Sequence, residues 1–410
     1  MQVAAHAPEP PVAPKQHAIR TLAGLALARS LLMNRPMQHI GPYVVDRKLS
    51  EGGMAEVLLA HRAGHSMRVV LKHVLEAHAD DPDFTGMLRR EASVAATLDH
   101  PNVVQVHDFV EQQGKPYLVM EFLDGRNLRE MLKRAAEKGR RLSPEVACRI
   151  VADMLAGLAY AHARTDAAGR PLGLVHRDVT PSNVVVTWSG AVKLIDFGIA
   201  KAMHQHGAEL TRAGQFKGKC AYMSPEQLRG ATLDHRADLF SAGIVLWESL
   251  TTRRLFARRR DIDTLRAICE ENVPPPSSHV PELPPALDAI CARALARAPE
   301  ARYQDAGEMR ADLVAIMHAM GWSASSDDVE QELHALFDDE EPAKAVGRET
   351  GTTTVIAEAP LMTPEDAGEG LYAEPTPPLA RGRVTRLVLA AMACFAIGAL
   401  GTAALSAILR

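Results

Sequence analysis

Three oxygen-bearing side chains stand close together near the middle of this sequence. His176-Arg177-Asp178-Val179-Thr180-Pro181-Ser182-Asn183 sets a carboxylate and an amide in one proline-punctuated loop, and Ile195-Asp196-Phe197-Gly198 brings a second carboxylate soon after. If the two segments lie on neighbouring hairpin strands, Asp178, Asn183 and Asp196 converge as one base and two hard-oxygen ligands of the kind Mg2+ takes. Taken singly, each suits a helix cap or an Asx-turn, the commoner work of a lone Asp or Asn in a loop. Far upstream, Leu49-Ser50-Glu51-Gly52-Gly53-Met54-Ala55-Glu56-Val57 is a small-residue turn whose backbone amides can approach phosphates. A two-glycine hairpin turn, however, needs no ligand to explain it. Lys72, at the end of Val69-Val70-Leu71-Lys72, and Glu91, in Arg89-Arg90-Glu91-Ala92, supply a cation and an anion that can meet beside that turn. A lysine near a strand end is otherwise a solvated gatekeeper.

The elements that must position these groups divide in two. From Tyr43 to about His107 the pattern gives short strands at 43–49, 56–61 and 68–74, interrupted by a helix over 82–98. An apolar strand at 117–122 follows and ends in Asp124-Gly125. Beyond it, helical periodicity dominates over 128–136, 144–164, 238–251, 265–269 and 287–320. The expectation is an α+β chain with a sheet-rich lobe at 40–123 and a helical lobe at 124–320.

A glycine turn, a strand lysine, a helix glutamate, His-Arg-Asp with its asparagine, Asp-Phe-Gly and then Ser224-Pro225-Glu226, in that order, form a signature set. Over residues 40–320 the chain resembles the eukaryotic-like Ser/Thr protein kinases of bacteria. The resemblance implies the two-lobed protein kinase fold and transfer of the γ-phosphate of ATP, with Mg2+, to Ser/Thr hydroxyls of proteins. It implies that Lys72 holds the α- and β-phosphates and pairs with Glu91, that Asn183 and Asp196 bind Mg2+, and that Asp178 accepts the hydroxyl proton. The glycine turn, Leu49 with Gly52 and Gly53, would cover the nucleotide. Adenine would lie between Val57 and Val70 above and Val185 below, with the main chain of Glu121 and Leu123 as acceptor and donor and Met120 behind. Asp238 matches the helix aspartate that braces the catalytic loop, and Arg302 the arginine that pairs with Glu226. Arg177 would await a phosphate on the segment from Asp196 to Glu226, where Thr211 is the one Ser or Thr before Ser224.

The departures from the family pattern are specific. Ser50 and Ala55 replace glycines, and Val70 replaces an alanine. Thr180 stands where the family has a lysine, and Lys219 where it has a threonine after Gly218. The two residue types have traded places, so one ammonium and one hydroxyl would still stand beside Asp178. The alternative is a pseudokinase, a scaffold that uses the same fold with little catalysis.

Composition bounds the remainder. A formal net charge of -4 gives no global reason to expect nucleic acid. The five cysteines, Cys148, Cys220, Cys269, Cys291 and Cys394, form no CxxC pair and point to reduced thiols without zinc. Residues 1–39 read as a Pro-rich arm, disordered or partly helical, without a signal peptide. Residues 321–386 carry the acidic clusters Asp327-Asp328 and 338–341, a Thr352-Thr353-Thr354 run and Pro-rich 374–378, a juxtamembrane linker composition. From Leu387 to Leu409 the chain has no charge and is long enough to cross a ~30 Å hydrocarbon core as one helix. Arg381, Arg383 and Arg386 before it place the kinase on the cytoplasmic side of the cell membrane in a single-pass arrangement. Small residues at Ala390, Cys394, Gly398, Thr402 and Ser406 offer a seam on which two copies pair as a homodimer.

Overall fold

The side chains of the first lobe alternate between two buried faces of one sheet. In the computed structural model, which describes residues 38–51, 55–74, 89, 92–197 and 219–338, the strands are β1 (His39–Ile40), β2 (Tyr43–Glu51), β3 (Ala55–Arg62), β4 (Arg68–Val74), β5 (Val106–Gln112) and β6 (Lys115–Glu121). They pair in the order β1-β2-β3-β4-β6-β5, antiparallel throughout. Leu58, Ala60, Val69, Leu71, Tyr117 and Val119 pack on one face with Ile40 and Tyr43. Val57, Val70, Leu118 and Met120 pack on the other with Leu123, Val185 and Ile195. Because successive side chains of a strand point to opposite faces, Lys72 shares the face of Val70, two residues earlier. Register sets Lys72 opposite both Val57 and Leu118.

Below β6 the chain enters a second, three-stranded sheet, β7 (Gly125–Asn127), β8 (Val184–Thr187) and β9 (Val192–Leu194), in that order. A Cβ at Gly125 would meet the Val186 carbonyl oxygen at 2.1 Å, so only glycine allows this approach of β7 to β8. Helix α1 (Leu128–Glu137) starts at a capping box between Asn127 and Glu130, and α2 (Pro144–His162) starts with a Ser143 cap and proline in its first turn. Helices α3 (Pro225–Leu228), α4 (Arg236–Thr251), α5 (Asp261–Glu270), α6 (Pro285–Ala294) and α7 (Ala306–Ala319) complete the larger lobe. Every residue of α4 after Arg236 is buried, which makes it the central post against which α2 and α6 pack.

The structure corrects the sequence reading in two places. The helical stretch expected over 287–320 is α6 and α7 separated by a turn at Pro299–Ala301, with Asp305 capping the second helix. More consequentially, the segment read as linker from residue 321 begins with a helix, α8 (Ser326–Phe337). The acids that suggested a linker, Asp327 and Asp328, are its first turn, where negative charge suits the helix dipole, and Ser325 and Asp328 form a capping box. Val329, Leu333, Leu336 and Phe337 make one buried stripe, and burying each contributes about 1.5–3 kcal/mol, which outweighs the polarity of the other face. Among the described residues no helix is long and apolar enough to cross a membrane, and the span expected at 387–409 lies outside them.

Candidate active site

The loop that carries Asp178 is held from beneath by one buried carboxylate. Asp238, in the first turn of α4 and 1% exposed, accepts the backbone N–H groups of His176 at 2.7 Å and Arg177 at 2.8 Å, and His162 Nε2 lies 2.8 Å from it. Burial pushes the Asp238 carboxyl up, but hydrogen bonding and charge from His162, with His176 behind it, outweigh burial and hold it below the ordinary range. The His176 ring reaches the Ile195 carbonyl at 2.8 Å and meets Phe197 edge-on, linking the Asp178 loop to the Asp196 segment. Gln227 Nε2 donates to the Arg177 carbonyl at 3.0 Å, which joins the loop to α3.

Within this frame the expected groups come together. Asn183 lies in a 3-10 turn, Pro181–Asn183, and its amide nitrogen donates to the Asp178 carbonyl at 2.7 Å and to Asp178 Oδ2 at 3.0 Å. The Asn183 carbonyl in turn accepts the Ile195 N–H at 2.9 Å, so the loop and the Asp196 segment are neighbours. Lys72 Nζ crosses from the first lobe to Asp196 Oδ2 at 2.7 Å, both side chains mostly buried. Arg177 and Asp196 both hold positive φ, 68° and 66°, a conformation that costs a non-glycine residue about 1–3 kcal/mol and collects at functional sites.

The donor set fits a divalent cation. Among the described residues Asp196 Oδ1 is buried and has no hydrogen-bond partner, a carboxylate oxygen that a hard cation would satisfy. With its nitrogen on Asp178, Asn183 presents its side-chain oxygen as the remaining acceptor. Among the described residues no group of three or more His, Cys, Asp or Glu forms a self-sufficient metal cage, whereas Mg2+ characteristically takes one or two protein oxygens together with phosphates and water.

The apolar slot is present as well. Val57, Val70, Met120, Leu123 and Val185 belong to one buried cluster on which Leu49 packs, and Ile195, which sequence reasoning missed, lines it too. Glu121 closes β6 with its carboxylate accepting Lys193 Nζ at 2.6 Å and the Gln105 N–H at 2.7 Å. His162, Gln227 and Lys193 were also missed, because their partners lie 76, 50 and 72 residues away and no local spacing announces them. Arg302 is found as expected, with all its donors satisfied: Glu226 at 2.6 and 2.8 Å, and the carbonyls of Ala296, Arg236 and Arg297. Burial pushes Glu226 up, and the Arg302 fork prevails and holds it below the usual carboxylate range.

Several expected groups lie outside the described residues: Gly52, Gly53, Glu91, Gly218 and Thr211. Thr180 is buried ahead of the Pro181–Asn183 turn, its carbonyl accepting the Asn183 N–H at 3.0 Å. Lys219 opens a turn, Lys219–Tyr222, and its side chain is outside the described set, as is the expected pairing of Lys72 with Glu91.

Comparison with known proteins agrees with this geometry. The protein kinase domain family matches residues 43–312. The chain is 44% identical over 273 residues to the tyrosine-protein kinase MasK of Myxococcus xanthus, covering 66% of this chain and 42% of that one. It is 37% identical over 320 residues to a probable serine/threonine-protein kinase of Streptomyces coelicolor, covering 77% and 46%. It is 37% identical over 288 residues to the serine/threonine-protein kinase PknB of Mycolicibacterium smegmatis, covering 69% and 44%. It thus spans less than half the length of these relatives. The crystal structure of the PknI kinase domain of Mycobacterium tuberculosis superposes with a TM-score of 0.53 at 30% identity, covering 68% of this chain and 98% of that one. The chain therefore belongs to the protein kinase domain family.

Proposed function

We propose that this protein transfers the γ-phosphate of ATP to Ser and Thr hydroxyls of proteins. The observation that carries the reading is the convergence of Lys72, Asp178, Asn183 and Asp196 on one cleft beside the apolar slot. Lys72 and the main chain of Glu121 and Leu123 position the nucleotide, with Val57 and Val70 above the base, Val185 below it and Met120 behind. Asp178 orients the acceptor hydroxyl and takes its proton as the oxygen bonds to the γ-phosphorus and the bond to the β–γ bridging oxygen breaks, releasing ADP. Mg2+, when bound with ATP, neutralises charge on the β- and γ-phosphates; Asp196 and Asn183 would hold it. Positioning and fixed charge do most of the work, because the transition state is loose. The scaffold alternative is disfavoured by the intact set of ligands among the described residues.

The Ser/Thr preference rests on the relatives named Ser/Thr kinases, while MasK is named a tyrosine kinase. Among the described residues Arg177 Nε is buried and finds no hydrogen-bond partner, which supports capture of a phosphate on Thr211. Anchorage by residues 387–409, with the kinase in the cytoplasm and the spans pairing as a homodimer, completes the proposal and rests on the uncharged sequence and its flanking arginines. The deciding test compares ADP binding and phosphate transfer in wild type, Lys72→Met and Asp178→Asn. The reading expects Asp178→Asn to bind ADP normally with turnover reduced at least about a hundredfold, and Lys72→Met to lose turnover too. Undiminished transfer by both variants would overturn it.

A further inference from the structure

We propose that helix α8 is a brace for the floor of the nucleotide site, and that Trp188 and Phe337 are the residues through which it positions that floor; the inference rests on the ATP-binding reading above. The helix lies beyond residue 312, where the family match ends. It packs against α1, α2 and β8. Part of that packing reaches the turn that joins β8 to β9, at Trp188 and Gly190. At one end the backbone of Ser326 approaches Gly190 so closely that a Cβ there would stand 1.9 Å from the Ser326 oxygen, and Gly190 holds φ +72°. At the other end Phe337 and His334 close on the Trp188 ring, with centroids 6.3 and 5.1 Å away. The Arg126 guanidinium sits 5.2 Å from both the Trp188 and Phe337 rings. Lys138, which caps the end of α1, and Arg134 within it donate to the Ala335 and Leu336 carbonyls, filling acceptors that a helix C-terminus leaves open.

What α8 holds is the exit of the adenine slot. The backbone N–H of Trp188 donates at 2.9 Å to the carbonyl of Asp124, the residue after Leu123. Arg126 pairs across the ladder with Val186, and its neighbour Asn127 with Val185, the floor of the slot. Ring contacts therefore connect Phe337 to Trp188 and Arg126, and backbone pairing connects these in turn to Asp124, beside Leu123, and to the strand that carries Val185. Loosening α8 frees Trp188 and Arg126, and with them the short β7-β8 ladder. By linkage, a nucleotide seated on that floor must favour the docked helix to the same degree that the docked helix favours the nucleotide.

The test uses the full chain. Phe337→Ala removes the ring against Trp188, and Gly190→Ala drives a methyl into the Ser326 carbonyl. Both should raise the Kd for ADP and the KM for ATP by roughly fivefold or more, at the lower end of couplings between separated sites, with kcat within about twofold. Phe337→Leu, which keeps apolar volume, should recover part of the loss. Amide exchange in α8 of the wild type should slow when ADP saturates the site. Variants whose α8 amides exchange faster while ADP affinity stays at the wild-type value would overturn the brace. If Phe337→Ala fails to fold, wild-type α8 amides indifferent to ADP would overturn it equally. A wild-type chain that binds no ADP would instead remove the ATP-binding reading, and the brace with it.

Discussion

Replacing Asp238 by Asn tests how the fold positions the catalytic loop. The carboxylate accepts His176 N–H and faces His162 through Oδ2, and accepts Arg177 N–H through Oδ1. An asparagine oxygen can serve one side only, so its NH2 must face an N–H donor on the other. The change removes one charge-assisted hydrogen bond and leaves a buried donor unsatisfied, together about 3 kcal/mol. Because the group is 1% exposed, solvent does not soften the loss. At ~2–4 °C per kcal/mol for a domain above 150 residues, Tm should fall by roughly 6–12 °C. Arg177, held at φ 68° by this contact, would relax and displace Asp178, and a shift of about 1 Å costs on the order of a hundredfold in kcat. ADP affinity should persist, because the slot formed by Val57, Val70 and Met120 does not depend on Asp238. The folded carboxyl lies below its ordinary 3.8, so its contribution is full above that pH and disappears as pH falls through the folded value. Thermal melts of the two proteins should therefore converge on acidification below about pH 4. A variant with wild-type Tm at neutral pH and unchanged kcat would refute this account of the loop.

Other outcomes follow from the same structure. Burial pushes the Cys148 thiol up to about 12 and Cys291 well above its ordinary value, so native alkylation at pH 8 should label the partly exposed Cys269 ahead of these two, which react only on unfolding; peptide mapping decides this. If Lys219 supplies the ammonium near Asp178, Lys219→Ala should lower kcat, and the Thr180→Lys plus Lys219→Thr double variant should recover part of it; a double variant no better than Lys219→Ala would separate the two positions. Removing residues 387–410 should move the protein from the membrane pellet to the soluble fraction with its phosphate transfer measurable, and a full-length chain soluble without detergent would refute the anchor.

The grouping of Lys72, Asp178, Asn183 and Asp196 was legible because the kinase signature sets particular charges in a particular order, and His176 to Asn183 followed by Asp196 leaves few other readings. Asp238, Glu226 and Arg302 were legible through the same order. Two of the elements that failed to show have no pattern of their own. Strand β7 is Gly125-Arg126-Asn127, two of its three residues poor strand formers, and it exists because β8 pairs with it. Strand β5 has a register shift between Val106 and Asp108 and no clean alternation of burial, so its period is hidden. Helix α8 was mistaken for linker because Asp327 and Asp328 weigh in composition while acting as a helix start. Its apolar stripe, 329, 333, 336 and 337, was there to be read at helical spacing.

The central claim, a Ser/Thr phosphotransferase whose base is Asp178, is tested most directly by incubating the purified full chain with γ-labelled ATP and Mg2+ in the presence of a protein acceptor, then separating the phosphoamino acids after acid hydrolysis. Label in phosphoserine and phosphothreonine, lost with EDTA and in Asp178→Asn, is the expected result. Label confined to phosphotyrosine, or equal labelling by wild type and Asp178→Asn, would contradict it.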